Sequence, residues 1–191
     1  MELFYKCPAE SLSLIVNREL YFSDPAHFND PYDCQINISE AVMEAIENAE
    51  LSTEHRVKAK LEKIINLADL FQKIEKDVRG CGILSLSKIN NDVLMWSHYA
   101  DNHKGFCIGF NLSKFMDYNI ENGIIGMSDV QYCSNNPFSN FFINFAKVEE
   151  LPTWDEFWLE LFSIGLLAKS KSWRHEEEVR AICKMPGTIK F

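Results

Sequence analysis

The sequence predicts an α+β fold with a mixed, largely antiparallel sheet, an inserted helical pair and flanking aromatic-rich helices. Three observations carry that prediction. Short segments at residues 3–5, 19–23, 81–87 and 105–111 have strand composition and, in part, period-two alternation. Between the second and third of them, Val57, Leu61, Ile64, Ala68, Phe71, Ile74 and Val78 recur at spacings of three and four, which marks one apolar helix face. Farther along, residues 138–148 and 153–168 concentrate Phe and Trp at helical spacing.

Along the chain, Pro8 occupies a first helical position ahead of a helix of about two turns over residues 11–16. After the strand at 19–23, the steps Asp24-Pro25 and Asp30-Pro31 push each aspartate away from helical geometry and shape a loop over residues 24–33. Ser39 can cap a helix to about Glu50, and Ser52 or Thr53 a longer one that stops before Gly80. Their outer faces are charged, so the insertion at about 39–79 reads as a solvated helical lid over the sheet. Asn90 or Asn91 caps a helix over 92–101, and residues 124–132 add a strand. The last helix turns Trp154, Phe157, Trp158, Leu161 and Phe162 inward, and residues 173–184 close as a strand. With no repeat or linker, residues 1–191 read as one domain.

Composition narrows the function classes. At 47% apolar and 25% charged, a chain of 191 residues can bury a core without disulfide or metal support. The net charge of −9, from 28 acidic and 19 basic residues, opposes attraction to phosphate backbones and argues against general nucleic-acid binding. Six cysteines without a C-x-x-C pair read as reduced thiols. A basic leader is absent, as is any apolar run of about 18 residues, so the expected location is the cytoplasm, without a membrane partner.

Three segments hold the candidate functional residues. Over residues 173–183 a period of two would place Glu176, Glu178 and Arg180 on one strand face and Val179, Ala181 and Cys183 on the other. Strand residues two apart stand about 7 Å apart, so the carboxylates raise each other's pKa while Arg180 lowers both. Such a trio can anchor hydroxyls or a cation and supply a general base, or it can be an ordinary ion pair on a solvent-facing strand. Over residues 92–105, helical spacing gathers Asp92, Trp96, Tyr99 and His103 near one stripe, with His98 offset. That is a usable stacking and proton-transfer set, or else packed aromatics beside surface histidines. The separation of His98 and His103 argues against a shared metal, and no metal site is expected. In Phe28-Asn29-Asp30-Pro31-Tyr32-Asp33, the side chains of Asn29, Asp30 and Asp33 sit on a proline-pinned turn that can cap backbone or hold a ligand. Ser85 and Ser87 share one strand face. No P-loop, G-x-G-x-x-G, H-E-x-x-H or nucleophile elbow occurs.

These segments resemble an uncharacterised bacterial family, catalogued as a domain of unknown function and often encountered near phage-defence genes. The shared pattern runs from Leu20-Tyr21-Phe22-Ser23 and Phe-Asn-Asp-Pro-x-Asp at 28–33, through Met-Trp-x-His-Tyr-Ala at 95–100 with His103 and Gly105. It ends on Lys169, Trp173, Glu176, Glu178 and Arg180. The resemblance covers most of the chain and adds Lys169 and Trp173 to the ligand-binding candidates. Family members run further past the Glu-x-Glu-x-Arg segment than the 11 residues here, which points to a version lacking a final strand.

A looser similarity is to ADP-ribosyltransferase folds, in which an early strand residue, a serine-bearing strand and a late Glu-x-Glu strand surround NAD. Tyr5 or Lys6, Ser85-Leu86-Ser87 and Glu176-Glu177-Glu178 occur in that order, although the first strand has no arginine or histidine. The similarity implies that Glu178 is a catalytic carboxylate orienting a ribose hydroxyl, with Glu176 and Arg180 as electrostatic partners. Trp96, Tyr99 and His98 would stack and position the substrate, and NAD would be that substrate. The expected function is therefore a NAD-using, ADP-ribosyltransferase-like enzyme of a bacterial defence or toxin–antitoxin system. The alternative is a non-catalytic domain of the same setting that binds a nucleotide or a protein. Hydrolysis with His98 or His103 as base lacks a partner nucleophile.

Overall fold

The structure is a computed structural model that describes residues 2–30, 33–51, 55–111, 123–148 and 152–190. The caps expected at Ser52 or Thr53, and the Pro31-Tyr32 step of the loop, lie outside the described residues. In chain order the strands are β1 (Glu2–Cys7), β2 (Glu19–Phe22), β3 (Gly82–Ser87), β4 (Phe106–Asn111), β5 (Ile124–Asp129), β6 (Gln131–Cys133), β7 (Ala168–Ser170), β8 (Glu178–Cys183) and β9 (Gly187–Lys190). The helices are α1 (Leu12–Val16), α2 (Ile38–Leu51), α3 (His55–Ile64), α4 (Ala68–Arg79), α5 (Val93–Tyr99), α6 (Pro137–Lys147) and α7 (Trp154–Leu167). The α+β class holds: five strands form an antiparallel sheet in the order β4-β1-β3-β8-β5. Two small ribbons accompany it, antiparallel β2-β9 and parallel β6-β7.

The sheet is covered on both faces. Leu3, Leu20, Phe22, Leu84, Leu86, Val179, Ala181 and Cys183 form one core, with the β2-β9 ribbon as its cover. Ile83 and Ile182 project the other way, into a larger core made with α2, α3, α4, α6 and α7. β8 lies between β3 and β5, and with both of its faces covered none of its six residues is exposed. The solvent-facing alternative for Glu178 and Arg180 is therefore overturned.

Several local expectations shift for identifiable reasons. The inserted helices are a wall of the main core rather than a lid, since Val57, Leu61, Ile64, Phe71, Ile74 and Val78 are all buried in it. A 3-10 turn, Ile65–Leu67, divides the second helix into α3 and α4. Helix α2 is capped by Asn37 instead of Ser39: the Asn37 Oδ1 accepts from the Glu40 N–H at 3.1 Å while its Nδ2 donates to the Glu40 carboxylate at 3.0 Å. Asp92, not an asparagine, caps α5, accepting from the Met95 N–H at 2.9 Å. Trp154 is 54% exposed, stacked on Phe157, which with Leu161 turns inward as expected. Residues 173–184 are not one strand. Pairing with β3 ends at Ser87 opposite Glu178, and the chain before it is a 3-10 helix, Lys171–Glu176, joined to β8 through Glu177 at φ 42°. A strand, β9, also lies within the last 11 residues and pairs with β2.

The turn after α5 seats that helix on the sheet. Asp101, Asn102 and His103 all take left-handed conformations, and Gly105 then donates to the Ala100 carbonyl at 2.8 Å. A Cβ at Gly105 would stand 2.2 Å from the Cys7 carbonyl oxygen and 2.9 Å from the Ala100 Cα, both backbone atoms that cannot rotate aside. Gly105→Ala is expected to reduce the unfolding free energy by about 1–3 kcal/mol through this overpacking, read as a lowered urea midpoint.

Candidate functional site

The register of β1, β3 and β8 builds the floor of a cavity. Ser87 pairs with Phe4 on one side and Glu178 on the other, and Ser85 pairs with Arg180. Alternation then gives Phe4, Lys6, Ser85, Ser87, Glu178 and Arg180 a common face. Over that face lies a cavity of about 330 Å³, walled by Met95, His98 and Tyr99 of α5, by Phe28, Asn29, Asp30 and Asp33 of the loop, and by Lys169, Trp173 and Glu176.

Buried charges form its deep side. Arg180 is 0% exposed, and its guanidinium is saturated. Nε donates to Glu178 at 2.8 Å, Nη2 to Asp33 and to Glu178, and Nη1 to the Leu166 carbonyl at 2.6 Å and to the Cys34 sulfur at 3.3 Å. Phe28 covers the guanidinium face at 5.4 Å. Lys169 enters from β7, opposite Tyr132, and donates to Glu176 at 2.6 Å and to Glu178 at 2.8 Å, with Asp33 at 3.6 Å. Its ammonium lies 5.2 Å from the Trp173 ring. The Tyr99 hydroxyl donates to the other Glu176 oxygen at 2.7 Å, and the Tyr132 hydroxyl accepts from the Glu178 N–H at 2.8 Å. Ser87 is engaged as well: its hydroxyl donates to the Glu176 carbonyl at 2.7 Å and accepts from the Ile89 N–H at 3.1 Å.

These contacts decide protonation. Burial opposes ionisation of Glu178, but Arg180 and then Lys169 outweigh it and hold the pKa at about 2. Burial likewise opposes the Lys169 charge, yet Glu178 and Glu176 raise its pKa above the ordinary lysine value. The Tyr99 phenol is pushed up by burial first and by Glu176 second, so it stays a donor. Cys34 is pushed up to about 12 by burial, against the opposing pull of Arg180, and remains a thiol. Near neutral pH the floor presents an ionised carboxylate held by two permanent cations.

The sequence candidates divide accordingly. Asn29, Asp30, Asp33, Ser85, Ser87, His98, Tyr99, Lys169, Trp173, Glu176 and Glu178 all line the cavity. Arg180 lies beneath it as the clamp on Asp33 and Glu178. Trp96 does not reach the cavity, because its Nε1 donates to the Asn90 carbonyl at 2.6 Å and ties the ring to the α5 entrance. His103 is exposed on the left-handed turn and is also outside. Trp173 takes the aromatic place expected of Trp96, meeting His98 edge to face at 6.1 Å. Tyr132 and Phe28 were missed as supports, because a backbone-held hydroxyl and a ring under a guanidinium leave no local pattern. Among the described residues no group of three His, Cys, Asp or Glu is placed to hold a metal ion. Among the same residues no helix is long and apolar enough to cross a membrane.

Residues 95–181 match the model of a family described as a protein of unknown function (DUF2971), in keeping with the uncharacterised family that the motifs resemble. The matched span runs from α5 into β8 and so contains His98, Tyr99, Lys169, Trp173, Glu176, Glu178 and Arg180. No curated protein and no solved structure gives a significant match.

Proposed function

We propose that this cavity is the site of a NAD-using, ADP-ribosyltransferase-type enzyme of a bacterial defence or toxin–antitoxin setting, with Glu178 as its catalytic carboxylate. The observation that carries the reading is the adjacency of β1, β3 and β8, which turns Lys6, Ser85 and Glu178 toward one cavity. Those strands are the three that the ADP-ribosyltransferase resemblance selects. In such a reaction the bond between the ribose C1′ and the nicotinamide nitrogen breaks, its electron pair leaves with nicotinamide, and positive charge develops on the sugar. A carboxylate that remains ionised stabilises that charge and accepts a hydrogen bond from a ribose hydroxyl. Glu178 meets both demands, since its low pKa keeps it charged and its three donors leave about one of four acceptor directions open.

An acceptor, water or a hydroxyl or amine, then bonds to C1′ and gives up a proton. His98 can take it: the ring meets Tyr99 and Trp173 edge-on and makes no hydrogen bond among the described residues. The cavity is near the lower end of the roughly 300–1,000 Å³ range of small-molecule sites, a size suited to the nicotinamide–ribose half of NAD. A cytoplasmic location belongs to the same proposal and agrees with the six free cysteines.

A second reading, a non-catalytic nucleotide-binding or protein-binding regulatory domain, is favoured by one observation: Glu178 is already engaged by Lys169 and Arg180. Calorimetric titration with NAD, followed by analysis of the mixture for free nicotinamide, separates the two. Binding accompanied by nicotinamide release is expected. Binding with NAD recovered intact would favour the regulatory domain, and neither heat nor product would remove NAD from both readings.

A further inference from the structure

A second cavity, of about 520 Å³, lies beside Lys169. Its walls are residues 34–37 with Glu40 of α2, residues 133–138 from the end of β6 into α6, and residues 164–165 and 168–170. Lys169 lines both cavities, but its ammonium is engaged by Glu176 and Glu178 of the first.

An open strand edge is one feature that points to an occupant. Side chains alternate along a strand, so a cavity lined by Ala168, Lys169 and Ser170 in succession runs beside the backbone of β7. β7 pairs with β6 alone, which leaves the N–H and C=O groups of its other edge without a strand to bond. Groups able to bond an added backbone stand in the walls: the side chains of Gln35, Ser134 and Asn135 make no hydrogen bond among the described residues. Asn37 and Asn136, by contrast, are taken up in capping α2 and α6. Charge is the other feature. From Glu19 to His55 the sequence has no Lys or Arg, and residues 130–146 have no charged residue of either sign. With Lys169 engaged elsewhere, the charge of the cavity is that of Glu40, which has no cation beside it among the described residues. Such a wall favours a cation and opposes phosphates and carboxylates.

We infer that the second cavity docks an extended segment of a partner polypeptide, which pairs with the free edge of β7 as a third strand and sets a Lys or Arg side chain against Glu40. The pairing is short, since three residues of strand span about 10 Å. The main chain binds through the β7 edge, and the basic residue supplies selection. The net charge of −9 acts in the same direction, drawing basic segments toward the chain. This docking is independent of the chemistry at Glu178.

The test selects peptides from a displayed random heptapeptide library on the immobilised wild-type chain and titrates the enriched peptide in synthetic form. Enrichment of peptides that carry Lys or Arg and lack Asp and Glu is expected. N-methylation of the enriched peptide, one position at a time, should abolish binding at alternate positions only, the period of two that strand pairing imposes and a side-chain contact does not. Ser134→Trp fills the cavity from an exposed position and should weaken binding at least about tenfold by steric clash. Glu40→Gln keeps a side chain that serves at the third position of a capped helix, and should weaken binding about threefold at low salt and less at high salt. Melting curves establish folding, and should Ser134→Trp fail to fold, the N-methyl pattern and Glu40→Gln still decide. No enriched peptide, or spermidine bound with no enriched peptide, would overturn the docking site. Enrichment of acidic peptides, N-methylation tolerated at every position, or full affinity in a folded Ser134→Trp would overturn it equally.

Discussion

Replacing Arg180 with methionine is expected to lower the unfolding free energy by about 3–5 kcal/mol, the cost of breaking a buried pair by removing one partner. The variant would leave Asp33 and Glu178 as buried carboxylates with Lys169 as their remaining cation, and would strip the Leu166 carbonyl of its 2.6 Å donor. Domains of this size hold only about 5–15 kcal/mol in total, so the loss would make the chain marginal. Arg180→Lys should not rescue it. One ammonium cannot reach Asp33, Glu178 and Leu166 together, as the planar guanidinium does through separate nitrogens. Urea unfolding followed by circular dichroism measures both variants, and a midpoint unchanged in Arg180→Met would show that the network adds nothing to stability.

Glu178 should dominate the acid limb of the stability curve. Its folded pKa is depressed from 4.5 to about 2, so the folded state binds the proton less readily than the unfolded chain does. The associated stabilisation is complete above pH 4.5 and is lost as the pH falls through about 2. At about 1.4 kcal/mol per pKa unit it amounts to roughly 3 kcal/mol. Glu178→Gln removes the titrating group, and its stability between pH 5 and about 2 should therefore fall less steeply than that of the wild type. Urea midpoints measured across that range test the sign as well as the size, and parallel slopes for the two proteins would assign the acid sensitivity to other carboxylates.

The way these residues come together was partly legible in the sequence. The period of two in residues 178–183 correctly separates Glu178 and Arg180 from Val179, Ala181 and Cys183. What the period cannot state is that β8 is covered on both faces, by one core over Val179, Ala181 and Cys183 and by Asp33 and Lys169 over Glu178 and Arg180. Glu176 joins the cavity by a different route from the one its spacing implies, through the 3-10 helix and the left-handed Glu177. Of the ion pairs, Glu178 with Arg180 was legible from their spacing of two, and those from distant segments were not. Asp33 and Arg180 are 147 positions apart, and Lys169 owes its direction to a three-residue parallel pairing of β7 with β6 that no local alternation announces. His103 stands outside the cavity because the helix that would carry it onto the stripe ends at Tyr99, and Trp96, still on the helix, is tied to the α5 entrance by its bond to Asn90.

The claim that Glu178 performs chemistry at the cavity floor is tested most directly by the rate of nicotinamide release from NAD by wild-type protein and Glu178→Gln at neutral pH, with both first shown to be folded. The carboxylate role predicts turnover by the wild type and a fall of about 10²–10³-fold in the variant, the scale seen when one electrostatic transition-state contact is removed. Equal rates in the two proteins would contradict it.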